Sequence, residues 1–588
     1  MVNYNLAKIL REISVLLEMK GVDFKPQAYE KAAYSVEMLE QDVQEMYKDG
    51  GIKALEDIPG VGKGIAERIE EYLKDHHIKD YDKLKKQIPV KIDELSSVEG
   101  IGPKMILRLY KELGIKTRVQ LEKAAQAGKL EGIEGFGKKT EENILRSIRF
   151  LKKEHGRFIL GFVVPQVRAI VDKIKRIDGV EKAEFAGSIR RMQETVGDLD
   201  ILVISKKPLK AMDFFVSMPE VEAVYSKGST KSSVRLKIGM DADLRVLPPE
   251  SFGAALQYFT GDKYHNIQLR EVAIKKGYKL NEYGLFKIQK SKFKNQNDKS
   301  KFKNERMVAG RTEEEIYQAL GMKWMEPELR TNHGEIEAAI EGKLPKLIEY
   351  GELKGDLQVQ TDWTDGDHSI KEMTEAAKKL GLEYICITDH TKSLAMTGGN
   401  DEKGLLKEMA EIDKVNRELG SSKFKVLKGA EVNIMKDGSL DIDDETLAKL
   451  DVVGAAVHSH FNLSEKDQTE RIIKAMENPN VDIIFHPTGR VIQRRDAYKV
   501  DMDALLKAAK RTKTVMEIDA YPDRSDLKDE YIRKAVEMGV KLAIDTDAHS
   551  VHHFQYLEYG IAQARRGWAK KSDVINTKSW QEMLKLLK

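Results

Sequence analysis

The stretch Asp198-Leu199-Asp200-Ile201-Leu202-Val203 limits what this chain can fold into more than any other. In an extended strand side chains alternate faces, so Asp198 and Asp200 fall on one face while Leu199, Ile201 and Val203 fall on the other. Two carboxylates on one face of a buried strand repel each other unless divalent cations lie between them. A two-metal phosphoryl-transfer site has that arrangement. A third carboxylate is expected from Met240-Asp241-Ala242-Asp243-Leu244-Arg245, where Asp241, Asp243 and Arg245 share a face. Upstream, Gly187-Ser188-Ile189-Arg190-Arg191 reads as a turn opening a helix. Its free N–H groups would meet phosphate oxygens, and Arg190 or Arg191 would act as a charged clamp. Taken together, the three stretches point to a nucleotidyltransferase.

At 588 residues the chain is expected to form several domains. Its net charge of +3 is nearly balanced, so local clusters are more informative than the total. The single cysteine, Cys386, excludes an intrachain disulfide and sits in the apolar run Tyr384-Ile385-Cys386-Ile387, where a core thiol is expected. Lys8, Arg11 and Glu12 interrupt the N-terminal apolar residues, and no run reaches the roughly 18 apolar residues of a membrane span. A cytoplasmic protein that does not engage membranes is expected.

Residues 1 to about 150 read as helices, with Leu6, Leu10, Ile13, Leu16 and Leu17 on one stripe of the first. One motif recurs three times between helices: Ile58-Pro59-Gly60-Val61-Gly62-Lys63, Val98-Glu99-Gly100-Ile101-Gly102-Pro103-Lys104 and Ile133-Glu134-Gly135-Phe136-Gly137-Lys138. Paired glycines let backbone approach a phosphate, and the following helix offers free N–H groups. These are the features of helix-hairpin-helix elements that grip the DNA backbone without reading sequence. The basic repeat Lys290-Ser291-Lys292-Phe293-Lys294-Asn295, echoed at Lys299 to Asn304, reads as an inserted solvated loop, with stacking on single-stranded DNA through its interleaved Phe as the alternative. Beyond a connector at 326–354, short apolar strands alternate with amphipathic helices, and acidic or His residues end the strands. That pattern predicts a parallel barrel with a metal site at its C-terminal rim.

Residues 1 to about 325 resemble a family X DNA polymerase of the polymerase beta type. The resemblance implies metal-binding, catalytic roles for Asp198, Asp200 and Asp243, holding two Mg2+ or Mn2+ ions, and triphosphate binding at Gly187, Ser188, Arg191 and Gly197. Tyr258-Phe259-Thr260-Gly261 is similar to the segment that lies against the sugar of the incoming nucleotide, and Leu280-Asn281-Glu282-Tyr283-Gly284 continues the match. Lys263 and Asn266 fall at nucleotide contacts and Arg270 at the template minor groove. Lys25, Tyr29 and Lys31 fall where the family binds the 5′-phosphate of a gap; Gly60, Gly62, Lys63, Gly100, Gly102, Lys104, Gly135 and Gly137 belong to the DNA-gripping hairpins. Arg68 takes the place of the family's lyase lysine, and a guanidinium forms no Schiff base.

Residues 355–588 resemble the PHP phosphoesterase domain, which implies one to three Mn2+ or Zn2+ ions held by Asp365, His390, Glu431, His458, His486, Asp547 and His549. His460 and Asp545 are nearby alternatives, and Arg490 a candidate for the substrate phosphate. The family's opening His-x-His is replaced by Gln358 and Gln360, whose amides are poor substitutes for imidazole on such ions.

The expected architecture is multidomain, α+β and α/β. It comprises a gap-binding helical domain at 1–85, a fingers-like helical domain at 86–150, a nucleotidyltransferase palm at 151–250, a nucleotide-selecting subdomain at 251–325, the connector, and a distorted (β/α) barrel of PHP type. The expected function is template-directed filling of short gaps in DNA repair, acting as a monomer on gapped or nicked DNA with a 5′-phosphate and on dNTPs. The barrel is expected to add 3′→5′ exonuclease or 3′-end processing. Two alternatives stand beside it: a repair phosphoesterase or endonuclease that uses the polymerase half as a clamp, and a non-catalytic DNA-binding scaffold.

Overall fold

The computed structural model describes residues 2–588 except 23–24, 38–42, 59, 76, 97, 99–100, 134–135, 138–139, 142–143, 146–147, 149–155, 289–305, 395–396 and 494. Gly100, Gly135 and the basic repeat at 290–304 lie outside the described residues. Two compact units result, Met1–Gly156 and Arg157–Lys588.

The first unit is helical. Its opening helix, Val2–Met19, buries Leu6, Leu10, Ile13 and Leu16, spaced three and four apart so that they form one stripe. The three glycine motifs share one turn: Val61 N–H donates to Ile58 O (2.9 Å), Ile101 N–H to Val98 O (3.1 Å) and Phe136 N–H to Ile133 O (2.9 Å). In each, the next glycine carbonyl accepts the first helical N–H groups, as Gly62 O does from Ile65 (2.9 Å) and Gly137 O from Thr140 (2.8 Å). Gly60 has φ +85°, and a Cβ there would meet the Lys31 stem at 2.6 Å, so glycine is required. Arg68 is bound to Asp80 at 2.6 Å.

The second unit opens with a five-stranded sheet in the order Val180–Phe185, Asp198–Ser205, Asp241–Val246, Lys231–Leu236, Val221–Lys227. Leu199, Ile201 and Val203 pack under the helices Leu160–Lys175 and Pro208–Ser217. On the opposite face Leu202 meets Phe252, Ala255 and Leu256 of the helix Phe252–Thr260. Asp198 and Asp200 share that face by the strand's two-residue period, just beyond where the helix covers it.

A smaller layer follows, with the helix Lys263–Lys275 and the strands Tyr278–Asn281, Gly284–Lys287 and Met307–Ala309 around Leu269, Leu285, Ile316 and Tyr317. The connector is fixed to the barrel and carries only the short helices Pro327–Leu329 and Glu335–Glu341. Ile348 and Leu353 join the barrel's apolar layer, and Arg565 donates to Glu328 (2.7 Å) and to Ile348 O (2.8 Å).

The barrel has seven parallel strands in sequence order, from Gly355–Val359 to Leu542–Asp545, and a bridge between Val359 and Ala548 nearly closes it. Leu357, Tyr384, Cys386, Leu427, Phe485 and Met583 fill its interior. Burial pushes the Cys386 thiol well above its usual range, as expected for an inert core residue. A register break between Asp356 and Val359 places Leu357 in the interior and Val359 in the outer layer.

Glu313 ties the palm to the smaller layer. It accepts Arg190 Nη1 and Nη2, both at 2.8 Å, and the guanidinium of Arg330, which is fully buried. Burial alone would raise the Glu313 carboxyl, but Arg330 and Arg190 hold it well below the usual range. The folded value is therefore depressed, so the stabilisation is complete above the unfolded value of about 4.3 and declines as pH falls toward the folded one. Glu313→Gln, which strands a buried guanidinium, is expected to cost about 3–5 kcal/mol at pH 7 in urea unfolding, and less below about pH 4.

Candidate functional site

In the palm, the parallel pairing of two strands sets Asp198 beside Asp241 and Asp200 beside Asp243. Four carboxylates therefore stand on one face. Asp241 accepts Tyr225 OH (2.9 Å) and Arg235 Nη1 (3.0 Å), whereas Asp243 accepts Ser233 Oγ and lies 2.7 Å from Lys231 Nζ. Asp200 sits between them: burial first, then the charges of Asp198 and Asp243, push its carboxyl up to about 6. Asp198 is raised by burial and then by Asp243 and Asp241. The donor set fits divalent cations, since it clusters like charge on one face that stays open to solvent at Asp198.

The turn stands over this face. Gly187, at φ +66°, begins the short helix Gly187–Arg190, and a Cβ on it would lie 3.6 Å from Asp200 Oδ2. Arg190 is committed to Glu313 and to Thr260 Oγ1 (2.8 Å). Arg191 donates Nη1 to Thr260 O (2.6 Å), and its buried Nε has no partner among the described residues. Of the two arginines, Arg191 keeps capacity for a ligand. Tyr258 and Phe259 end their helix edge-to-face at 5.2 Å, with the Arg245 guanidinium 4.7 Å over the Phe259 ring. Asn266 is fully used within the turn. Its Nδ2 donates to Tyr258 O (2.7 Å) and Gly261 O (3.0 Å), and its Oδ1 accepts from Gln257 (2.9 Å). A Cβ at Gly261 would strike that Oδ1 at 2.5 Å. Arg270 donates to Asn266 O (3.1 Å), while Lys263 is exposed at the start of its helix.

At the barrel rim six of the seven expected ligands gather around two carboxylates. Asp365 Oδ1 lies 3.6 Å from both His390 Nε2 and His549 Nε2. Glu431, fully buried, has Oε1 at 2.8 Å from His486 Nε2 and 3.0 Å from His458 Nε2, and Oε2 at 3.3 Å from His390 Nδ1. Burial would raise its carboxyl, but His390 and His458 hold it well below the usual range. His458 Nδ1 contacts Asn433 Oδ1 (2.8 Å) and His549 Nδ1 contacts the Asp547 carbonyl (2.7 Å). Donation through Nδ1 turns each Nε2 lone pair toward a carboxylate, an orientation suited to a cation between them. Asp547 borders the cluster at φ +49°, 3.8 Å from Arg524 Nη2.

Gln360 does not fit that chemistry. Its Nε2 donates to Glu431 Oε2 (2.9 Å), presenting N–H where an imidazole would present a lone pair; Gln358 is buried, and neither of its amide atoms has a partner among the described residues. The two alternative ligands stand apart from the cluster. His460 is exposed, and Asp545 accepts Leu357 N–H (2.8 Å). Arg490 is taken by Glu194 (2.6 Å) and the Arg524 carbonyl (3.0 Å), not left for a substrate phosphate. Glu517, expected as a strand-end acid, accepts His486 N–H; Arg524, near Asp519 and Asp547, and Asp519 also face the site and were missed from sequence, because a lone arginine and an acid inside a strand carry no motif.

Family models agree with this geometry. A helix-hairpin-helix domain matches residues 1–78, a SAM-like helix-hairpin-helix tandem 92–149, a DNA polymerase beta thumb 255–331 and a PHP domain 356–521. The DNA polymerase/3′-5′ exonuclease PolX of Bacillus subtilis (strain 168) is 36% identical over 587 residues, covering 99% of each chain. DNA polymerase lambda of Arabidopsis thaliana is 25% identical over 56% of this chain and 62% of its own. A probable phosphatase of Thermoanaerobacter sp. (strain X514) is 33% identical over 38% of this chain and 90% of its own. With helical hairpins, palm, thumb and barrel in one order and matched from end to end, the chain belongs to the family X DNA polymerases that carry a PHP domain.

Proposed function

We propose that this protein fills short gaps during DNA repair as a template-directed polymerase, taking nucleotides from dNTPs in the palm and trimming 3′ ends in the barrel. The observation that carries the reading is the register of the palm: Asp198 and Asp200 stand beside Asp241 and Asp243, beneath the turn that bears Ser188 and Arg191.

Asp198, Asp200 and Asp243 would hold two Mg2+ or Mn2+ ions. Such ions, when bound, favour ionisation of the primer 3′-hydroxyl and neutralise the departing pyrophosphate. The chain's own groups do the positioning. Ser188 and Arg191 take the triphosphate, with Gly187 and Gly197 leaving room for it. Tyr258, Phe259 and Gly261 wall the sugar, and Lys263 adds charge near the phosphates. Asn266 shapes that wall through its carbonyl contacts. Arg270 faces the template strand. The hairpin glycines with Lys63 and Lys104 hold DNA phosphates, and Lys25, Tyr29 and Lys31 hold the 5′-phosphate at a gap. Gap binding needs no lyase lysine, which suits Arg68 and its Asp80 partner. The protein would act as a cytoplasmic monomer; among the described residues no helix is long and apolar enough to cross a membrane.

In the barrel, Asp365, His390 and His549 form one candidate Mn2+ or Zn2+ group and His390, Glu431 and His458 the other, with His486 beside Glu431. Asp547 and Arg524 flank both, and Arg524 is the cation placed to meet a DNA phosphate.

Asp200→Asn is expected to abolish extension of a primer facing a gap with a 5′-phosphate. It should leave both DNA affinity and shortening of the same primer without dNTPs unchanged; extension at the natural rate would overturn the palm assignment. Replacing Gln358 and Gln360 together by His should add about one tightly held Mn2+ per chain in elemental analysis after desalting. No added metal would mean that the glutamine amides do not displace an ion.

A further inference from the structure

The palm segment leaving the turn is held from the barrel. Residues Arg191 to Thr195 join Ser188 and Arg191 to the strand that bears Asp198. Met192 has φ +51°, a conformation that side chains adopt rarely and keep where surroundings impose it. The end of the short helix imposes it here, through Met192 N–H to Ile189 O (3.0 Å), and two barrel arginines brace the segment from outside. Arg566, buried and 3.3 Å from Asp529, donates Nη1 to the Met192 carbonyl. Arg490 grips the Glu194 carboxylate with a fork, Nη1 to Oε1 at 3.3 Å and Nη2 to Oε2 at 2.6 Å. Its other donors hold the carbonyls of Arg524 and Ser525, so the fork is anchored in the barrel. Gln193 N–H returns to Ser188 O at 3.1 Å, which ties the held segment to the serine itself.

The platform beneath is tightly docked. A Cβ at Gly161 on the palm helix would lie 2.6 Å from Pro522, Arg168 pairs with Glu558 at 2.8 and 2.9 Å, and Tyr559 and Ala562 of the barrel belong to the palm's apolar core.

We infer that Arg490 and Glu194 are positioning residues for the incoming nucleotide: the barrel presets the turn that carries Ser188 and Arg191. The inference rests on the reading of that turn as the triphosphate site. A preset turn need not be ordered when the nucleotide arrives, so its loss appears as weaker nucleotide binding while the chemistry is spared.

Single-nucleotide gap filling by the full chain tests it. Arg490→Gln and Glu194→Gln should each raise the KM for dNTP about five-fold or more, the low end of ordinary coupling between sites, with kcat within about two-fold. The double variant should be no worse than either single one, because both remove the same contact. Arg490→Lys, which keeps charge without the fork, should fall between. Unchanged KM in both single variants would overturn the inference, as would a loss of kcat accompanied by a lower unfolding temperature, the mark of a merely structural role. Arg191→Ala separates the two readings. If it leaves KM unaltered, the triphosphate assignment fails and takes this inference with it. If it raises KM while Arg490→Gln does not, the inference alone fails.

Discussion

Carboxylates crowded together away from water repel one another, and the cost has to be met by protons, by basic side chains or by cations. The palm meets it unequally. Asp241 and Asp243 have basic neighbours in Arg235 and Lys231, but Asp200 faces its fellow aspartates with its carboxyl pushed up to about 6. The strand pairing that puts these groups together is fixed by the apolar residues alternating with them, which pack under the palm helices. The fold thus creates an electrostatic strain that a divalent cation relieves. The barrel repeats this physics with a different donor set, where His390, His458 and His486 surround the buried carboxylate of Glu431.

Around the palm centre, arginines serve as struts as much as ligands. Arg190 joins the turn to Glu313 and through it to Arg330, while Arg490 and Arg566 reach the far side of the same turn from the barrel. The turn is thereby held on two sides by elements more than a hundred residues away in sequence. Glutamine at 358 and 360 alters the barrel in a comparable way. One amide donates to Glu431, so an oxygen that would face an imidazole ligand set is satisfied by hydrogen bonding.

Local patterns made much of this legible in the amino-acid order. The Asp-x-Asp period, the three glycine hairpins and the acidic or histidine residues at barrel strand ends each follow from backbone periodicity, and the folded chain matches all three. The contribution of Asp241 was legible only as an alternative, because strand register decides which residue stands beside Asp200. The residue pattern alone left Arg190 and Arg191 as alternatives and only the polymerase resemblance pointed to Arg191, since the division of labour depends on Glu313, 123 residues from Arg190. Arg490, in Thr488-Gly489-Arg490, read as a phosphate ligand, yet its partner Glu194 lies 296 residues upstream. Asn266 read as a nucleotide contact, and its hydrogen bonds to Tyr258 O, Gly261 O and Gln257 emerge only when the helix ends there.

Two separate cation centres are expected in one chain, one on the palm carboxylates and one at the barrel rim. Anomalous diffraction at the manganese edge, from crystals of the whole protein grown with Mn2+, tests this expectation most directly. Anomalous density is expected between Asp198, Asp200 and Asp243, and at both the Asp365–His390–His549 and His390–Glu431–His458 groups. Density in the barrel with none on the palm, under conditions in which the enzyme extends primers, would contradict it.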